Sequence, residues 1–248
     1  EEEFNLKGVS WFGFETSDYI FHGLWADPYQ YLVSFMANYS FNAIRIPFSV
    51  ELVVKNPTPT NVDWNLNPTL KGLTSFEILD IMVEALGEAG ILIMFDMHCL
   101  QGGGNPADGL WYNQQYTVND TLNAWKFMVD RYSSAWNVIA IDVFNEPFDA
   151  TWSNDTNSNV NTDINQWCTT VGNAIHSMNA NASKWLIFCE GTALSPPCDD
   201  ACFWGEDLQG VAVKPIVLDK PNKIVYSPHC YGPSVASQQY FNVAYFPN

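Results

Sequence analysis

The sequence predicts an α/β fold whose parallel sheet curls into a barrel, and two observations predict it. Short apolar runs begin near residues 41, 90, 137, 184 and 223, mostly with an amphipathic helical pattern between them. Strand and helix alternating at that interval imply right-handed βαβ units and a parallel sheet. At or near the carboxyl ends of five runs stand Arg45, Asp96, His98, Asn145, Glu146, Glu190, His229 and Tyr231. A doubly wound sheet gathers its ligand at a strand-order switch, whereas a barrel spreads polar residues over its strand ends. The distribution favours the barrel. No repeat, low-complexity tract or linker divides the chain, so residues 1–248 are read as one domain.

Taken in order, Val9 to Phe14 reads as an aromatic-rich first strand, closed by Gly13 and a polar run to Asp18. Phe21 to Trp25 reads as loop and Pro28 to Tyr39 as helix. Phe41 to Pro47 is the second strand. Asn56 to Lys71, rich in Pro and Asn and without a period, reads as loop. Thr74 and Glu77 form a capping box, after which Phe76, Leu79, Met82, Val83 and Leu86 follow helical spacing. Gly90 to His98 is the third strand. A Gly-rich loop with Trp111 and Tyr112 leads to a helix whose face is Leu122, Trp125, Met128, Val129 and Tyr132.

Val138 to Phe144 is apolar but for Asp142, short enough for a strand and of the kind buried on both faces. It stops at Asn145, Glu146 and Pro147, because Pro cannot donate to a ladder. A carboxylate at such a strand end is costly to desolvate, so Glu146 is expected to have a raised pKa. After a polar loop from Ala150 to Asp163, Ile164, Trp167, Cys168, Val171, Ile175 and Met178 make another amphipathic helix. Lys184 to Glu190 and Lys223 to Tyr231 are strands five and six.

A chain of 248 residues, 47% of them hydrophobic, can bury one large core. Ten basic against 27 acidic residues give a formal charge of −17, which argues against nucleic acid and anionic membrane partners. No apolar run approaches the roughly 18 residues of a membrane span. The opening Glu1-Glu2-Glu3-Phe4 has neither a basic start nor an apolar signal region, as in a mature or trimmed chain. Asn38, Asn119, Asn154 and Asn181 each begin a glycosylation sequon, which points to a secreted, extracellular glycoprotein. Among six cysteines, Cys198 and Cys202 flank a short loop and are expected to pair. Cys168 on an apolar helix face and Cys189 in a strand read as buried free thiols. Cys99 and Cys230 each follow a His and have no assigned partner.

Several segments resemble the glycoside hydrolase family 5 cellulases, in the bacterial and fungal endoglucanase branch. They are Asn42 to Ser49, Asp96-Met97-His98, Asn145-Glu146-Pro147, Ile187 to Gly191 and Tyr226 to Tyr231, with Phe12 to Thr16 and His22 to Trp25. The resemblance runs from Gly8 to Asn248 and implies a TIM (β/α)8 barrel, of which only the first six strands are present in this chain. It also implies a secreted endo-β-1,4-glucanase acting with retention on cellulose-type β-glucan polysaccharide or oligosaccharide. Glu146 then resembles the general acid/base and Asn145 the neighbour that binds the sugar 2-hydroxyl. Arg45, His98, His229 and Tyr231 resemble the groups around the nucleophile and the −1 sugar. Chemistry supports these roles. Glycoside cleavage needs one protonated carboxyl and one carboxylate, about 5 Å apart in retaining enzymes, and a guanidinium keeps a neighbouring carboxylate ionised.

Trp25, Trp111, Trp152 and Trp204 offer aromatic faces that suit a pyranose, with Trp25 and Trp204 favoured as platforms because they lie in motif-like segments. No cofactor and no metal are called for. The family's nucleophile segment, of a Gly-Glu-Phe-Gly type, occurs nowhere in these residues. Glu190 matches a Glu of the family's strand five instead. The barrel is therefore expected to be incomplete at its carboxyl-terminal end. Further sequence of the same protein or another chain would complete it, and residues 1–248 alone are expected to aggregate. The competing reading is a non-catalytic glycan-binding or structural glycoprotein on a cellulase-like scaffold.

Overall fold

The structure, a computed structural model, describes residues 4–103, 108–152, 161–193 and 202–242. Six parallel strands form one sheet in sequential order: β1 (Gly8–Ser10), β2 (Ala43–Ser49), β3 (Leu92–Cys99), β4 (Val138–Asp142), β5 (Leu186–Cys189) and β6 (Ile224–Tyr226). Every strand pairs with the next in sequence, and all pairs are parallel. Helices α1 (Tyr29–Asn38), α2 (Val50–Lys55), α3 (Ser75–Glu88), α4 (Val118–Tyr132) and α5 (Ile164–Met178) lie between strands β1 and β5. A sheet wound in one direction like this is the wall of a barrel rather than a doubly wound layer.

The strands alternate as the pleat requires. Ile44, Ile46 and Phe48 of β2, and Ile93, Phe95 and Met97 of β3, are fully buried. The buried faces of α3 and α4 join the same core. On α3, Phe76, Leu79, Met82, Val83 and Leu86 are buried as the period predicts, behind a capping box between Thr74 and Glu77. On α4 the buried stripe is Thr121, Trp125, Met128, Val129 and Tyr132, with Leu122 only half-buried. Alternate residues of the strands face the other side. Toward the amino ends they line an apolar cavity of about 270 Å³ with Leu6, Val9, Ala43, Met94, Ala140 and Phe188. Toward the carboxyl ends they turn charged.

Several expectations are corrected. The first strand is Gly8–Ser10 rather than Val9 to Phe14, and Phe14 makes only an isolated bridge to Phe48. Gly13 breaks it: at φ 137° the backbone turns so tightly that a Cβ would lie 2.0 Å from the Ile20 carbonyl oxygen. Strand six ends at Tyr226 rather than Tyr231, because Pro228 follows and the His229 N–H donates to the Gly205 carbonyl instead of a ladder. The helix Val50–Lys55 follows β2 without a periodic signal in the sequence. Ser49 caps it by accepting from the Leu52 N–H at 3.1 Å, and Asn56 ends it in the left-handed region. A 3-10 turn, Pro68–Leu70, interrupts the expected loop.

Cys168 and Cys189 are not free thiols. They form a disulfide that ties α5 to β5, with Cα atoms 6.2 Å apart. An apolar helix face packed on an apolar strand brings two inward cysteines within bridging distance, a proximity that neither segment reveals alone. Cys202 is disulfide-bonded, and its expected partner Cys198 lies outside the described residues. Cys99 and Cys230 are free. No described helix is long and apolar enough to cross a membrane.

The bridge closes a loop across a sequence separation of 21, for which the chain-entropy relation gives about 3 kcal/mol. Replacing both cysteines by Ala should therefore lower the unfolding free energy in urea by about that much. An unchanged denaturation midpoint would count against a bridge that stabilises the protein.

Candidate active site

The site begins with a single cation. Arg45, in the middle of β2, sends its guanidinium across the sheet beneath the strand ends. Nη1 lies 2.8 Å from Asp96 Oδ2, and Nη2 lies 2.9 Å from Asp142 Oδ2 and 3.4 Å from Glu190 Oε1. Nε also donates to Asp142 at 3.1 Å. All three carboxyl groups are fully buried, and Arg45 itself is 16% exposed. Register explains the gathering. Asp96 and Asp142 are paired neighbours on β3 and β4, and Glu190 follows Phe188, the β5 partner of Asp142, by two residues. The carboxylates hold Arg45 firmly protonated against its burial.

One guanidinium cannot neutralise three buried carboxylates, and Asp96 and Asp142 each keep one buried oxygen without a hydrogen-bond partner. Burial and then the Asp142 charge push the Glu190 pKa well above the ordinary carboxylate range, opposed by His229 and Arg45, and burial raises Asp142 as well, opposed by Arg45.

Glu190 also holds Glu146. Its Oε2 accepts from the Glu146 backbone N–H at 2.7 Å. This fixes Glu146 at φ 45°, a left-handed conformation that costs a non-glycine residue about 1–3 kcal/mol. His229 lies between the two acids, with Nε2 3.0 Å from Glu190 Oε1 and Nδ1 3.0 Å from Glu146 Oε1. Burial lowers the imidazole pKa, but the two carboxyl partners outweigh it and the value is pushed up to about 10. The Tyr231 hydroxyl donates to the same Glu146 oxygen. Glu146 is therefore not raised as its strand-end position predicts. Burial raises it, but hydrogen bonds from His229 and Tyr231 bring it below the usual value. Glu190, one strand over and fully enclosed, carries the raised pKa instead.

His98 Nδ1 lies 2.7 Å from Asp96 Oδ2. A carboxylate can only accept, so the proton sits on Nδ1. Burial lowers the His98 pKa, but Asp96 more than offsets it and the net shift is upward. Asn145 Oδ1 accepts from Arg45 Nη2 at 2.9 Å, which assigns the amide and leaves its Nδ2 as a donor. These side chains line one pocket of about 400 Å³: Arg45, His98, Asn145, Glu146, His229 and Tyr231, joined by Trp204 and Ser10.

Of the residues expected in the site, all but Trp25 meet there. Trp25 is 44% exposed and packs edge-on to His22, outside that pocket. Trp204 is 43% exposed and leans on Phe148, ring centroids 4.6 Å apart. Trp111 and Trp152 are buried packing residues rather than platforms. Trp111 stacks on Trp167 at 5.2 Å, and Trp152 donates to the Lys214 carbonyl. Asn38, Asn119 and Asn181 are exposed, and Asn154 lies outside the described residues.

Sequence reasoning missed Asp142, Ser10 and Gly205. Asp142 had a signal, the lone charge in an apolar strand. Gly205 had none: at φ 77° its missing side chain leaves room for Glu190, whose Oε2 would lie 2.4 Å from a Cβ there. Asp142, Glu190 and His229 place ligand atoms within 4.8 Å of one another. Arg45 and the two acids already occupy those atoms, so the trio is an ion-pair cluster.

The chain is similar to known proteins along its length. A model of the cellulase family (glycosyl hydrolase family 5) matches residues 2–247. The chain is 39% identical over 249 residues to an endoglucanase of Paenibacillus polymyxa, covering all of this chain and 61% of that protein. It is 36% identical over 246 residues to the major extracellular endoglucanase of Xanthomonas campestris, covering 98% of this chain and 49% of that one. The catalytic domain of the Xanthomonas endoglucanase superposes with a TM-score of 0.88 at 35% identity, over 99% of this chain and 69% of the other. A cellotetraose complex of an endocellulase from Pyrococcus horikoshii also superposes with a TM-score of 0.88 at 35% identity, over 96% of this chain and 66% of the other. The chain thus spans about half to two thirds of these relatives.

The raised His229 pKa makes a testable statement about stability. A group whose pKa is higher in the folded than in the unfolded state stabilises fully below its unfolded value, about 6.5 for His, and loses that contribution as pH rises through the folded value. Unfolding free energy should therefore fall between neutral pH and pH about 10. In His229→Gln the fall should be shallower, by chemical denaturation at each pH. Parallel pH profiles for the two proteins would contradict the ion-pair row.

Proposed function

Since the chain belongs to the cellulase family, glycosyl hydrolase family 5, we propose that the protein is an endo-β-1,4-glucanase acting on cellulose-type glucan. One observation carries the proposal: the Glu146 carboxyl stands in a pocket of about 400 Å³ with Asn145, Arg45, His98, His229, Tyr231 and Trp204. The Pyrococcus endocellulase bound to cellotetraose supports an oligosaccharide of β-linked glucose as the ligand class.

In this reading Glu146 protonates the departing glycosidic oxygen and later draws a proton from water. The Asn145 Nδ2, left free by the Arg45 bond, donates to the sugar 2-hydroxyl. The Trp204 face carries a pyranose ring through its apolar C–H groups. Hydrogen bonds from His229 and Tyr231 lower the Glu146 pKa. Bound sugar removes water, and a second carboxylate about 5 Å away adds like-charge repulsion; both raise the pKa. We assign the second carboxylate, the nucleophile of a retaining mechanism, to sequence outside these residues, since the relatives are longer than the stretch matched. The sequons and the Cys168–Cys189 bridge support an extracellular site of action.

Glu146→Gln in the full-length protein should lower turnover of β-1,4-glucan by roughly 10²–10⁴-fold, the usual contribution of a general acid, with unchanged circular dichroism. Reducing-sugar release at near wild-type rate would remove Glu146 from this role. Glycan binding with no hydrolysis by the wild-type protein would favour a non-catalytic module.

A further inference from the structure

The amino ends of the strands, away from the active site at their carboxyl ends, carry an aromatic side chain that the glucanase reading does not use. Trp136 lies in the turn between α4 and β4 and is 66% exposed. It is nevertheless held in place. Its indole edge lies against Gly87 of α3, where a Cβ would come within 3.3 Å of Nε1 and 3.2 Å of the Asn137 amide. The next residue, Asn137, is buried and donates to the Val83 carbonyl at 2.9 Å. A glycine inside a helix costs about 1 kcal/mol relative to Ala, and here it makes room for the turn that presents the indole. β4 is an interior strand, so neither edge of the sheet lies beside Trp136.

The indole lines a groove of about 410 Å³ together with Asn181 and Lys184. Asn181 begins the sequon Asn181-Ala182-Ser183 and is exposed. Its turn is rigid: Asn179 Oδ1 accepts from the backbone N–H groups of Asn181 and Ala182 at 3.0 and 2.8 Å. Asn179 Nδ2 donates to Ser133 Oγ at 3.2 Å, at the carboxyl cap of α4. That bond ties the sequon turn to the segment leading into Trp136.

We propose that Asn181 carries an N-linked glycan whose first sugars lie in this groove and stack on Trp136. In the transfer, the Asn181 amide nitrogen bonds the anomeric carbon of a lipid-pyrophosphate-linked oligosaccharide. The carbon–oxygen bond to pyrophosphate breaks, and one amide proton leaves with the lipid pyrophosphate. The aromatic face meets the C–H face of a pyranose. Attachment in the same groove supplies a high effective concentration, so a contact too weak to hold a free sugar suffices. The inference needs passage through a glycosylating secretory route and does not depend on glucanase activity.

The test secretes the full-length protein from a eukaryotic host that N-glycosylates. Peptide masses before and after an amidase that removes the whole N-linked glycan report on Asn181. Hydroxyl-radical oxidation, read peptide by peptide, reports on Trp136, with exposed Trp25 as the internal reference. The expected result is a glycosylated Asn181 and a Trp136 oxidation rate that rises several-fold after enzymatic release and in Asn181→Gln and Ser183→Ala, with Trp25 unchanged. An unmodified Asn181 would overturn the proposal. So would a Trp136 rate that is indifferent to the glycan, or one that changes only in step with Trp25.

Discussion

Three buried carboxyl groups facing one side chain would drive the strand ends apart or give up their charges, and Arg45 is what holds them together. Its planar guanidinium reaches Asp96 on β3, Asp142 on β4 and Glu190 after β5 from a single position on β2. It thereby links four strands through charge as well as through the ladder. Removing one partner from such a buried cluster leaves an uncompensated charge, at a cost of about 3–5 kcal/mol. A Lys could not replace it, because a point charge lacks the fork that meets Asp142 through Nε and Nη2 together.

From that cluster the state of the pocket follows. Burial and the Asp142 charge raise the Glu190 pKa, and its two oxygens hold the Glu146 backbone N–H and meet His229. His229 in turn holds the carboxyl of Glu146 in the pocket. The residue exposed to ligand is therefore placed by one that is not exposed at all. Above the cluster the pocket is polar. Below it the same sheet face is apolar, so the charged layer divides a packing surface from a working one.

Much of this was legible because strong periods and stops survive in sequence. The fourth strand formed but ends at Asp142, short of the expected Phe144, whereas the capping box at Thr74 and the helix face from Phe76 to Leu86 took the expected form. So did the meeting of Arg45, His98, Asn145, Glu146, His229, Tyr231 and Trp204 in one pocket. The weak points were local. β6 extends only to Tyr226, since backbone donors beyond it turn to a loop. The six-residue α2 is too short for a period to show.

Sequence alone determined the parallel βαβ arrangement and which strand ends carry polar groups, because burial writes apolar runs and prolines write their ends. Only the tertiary structure decided which carboxyl has its pKa raised and which lowered, since pKa depends on partners brought from other strands. Glu146, at the strand end, is stabilised as a carboxylate by His229 and Tyr231, whereas Glu190 is forced toward neutrality by burial beside Asp142. The disulfide between Cys168 and Cys189 belongs to the same class. Each cysteine looks like a core residue in its own segment, and their pairing exists only where α5 packs on β5.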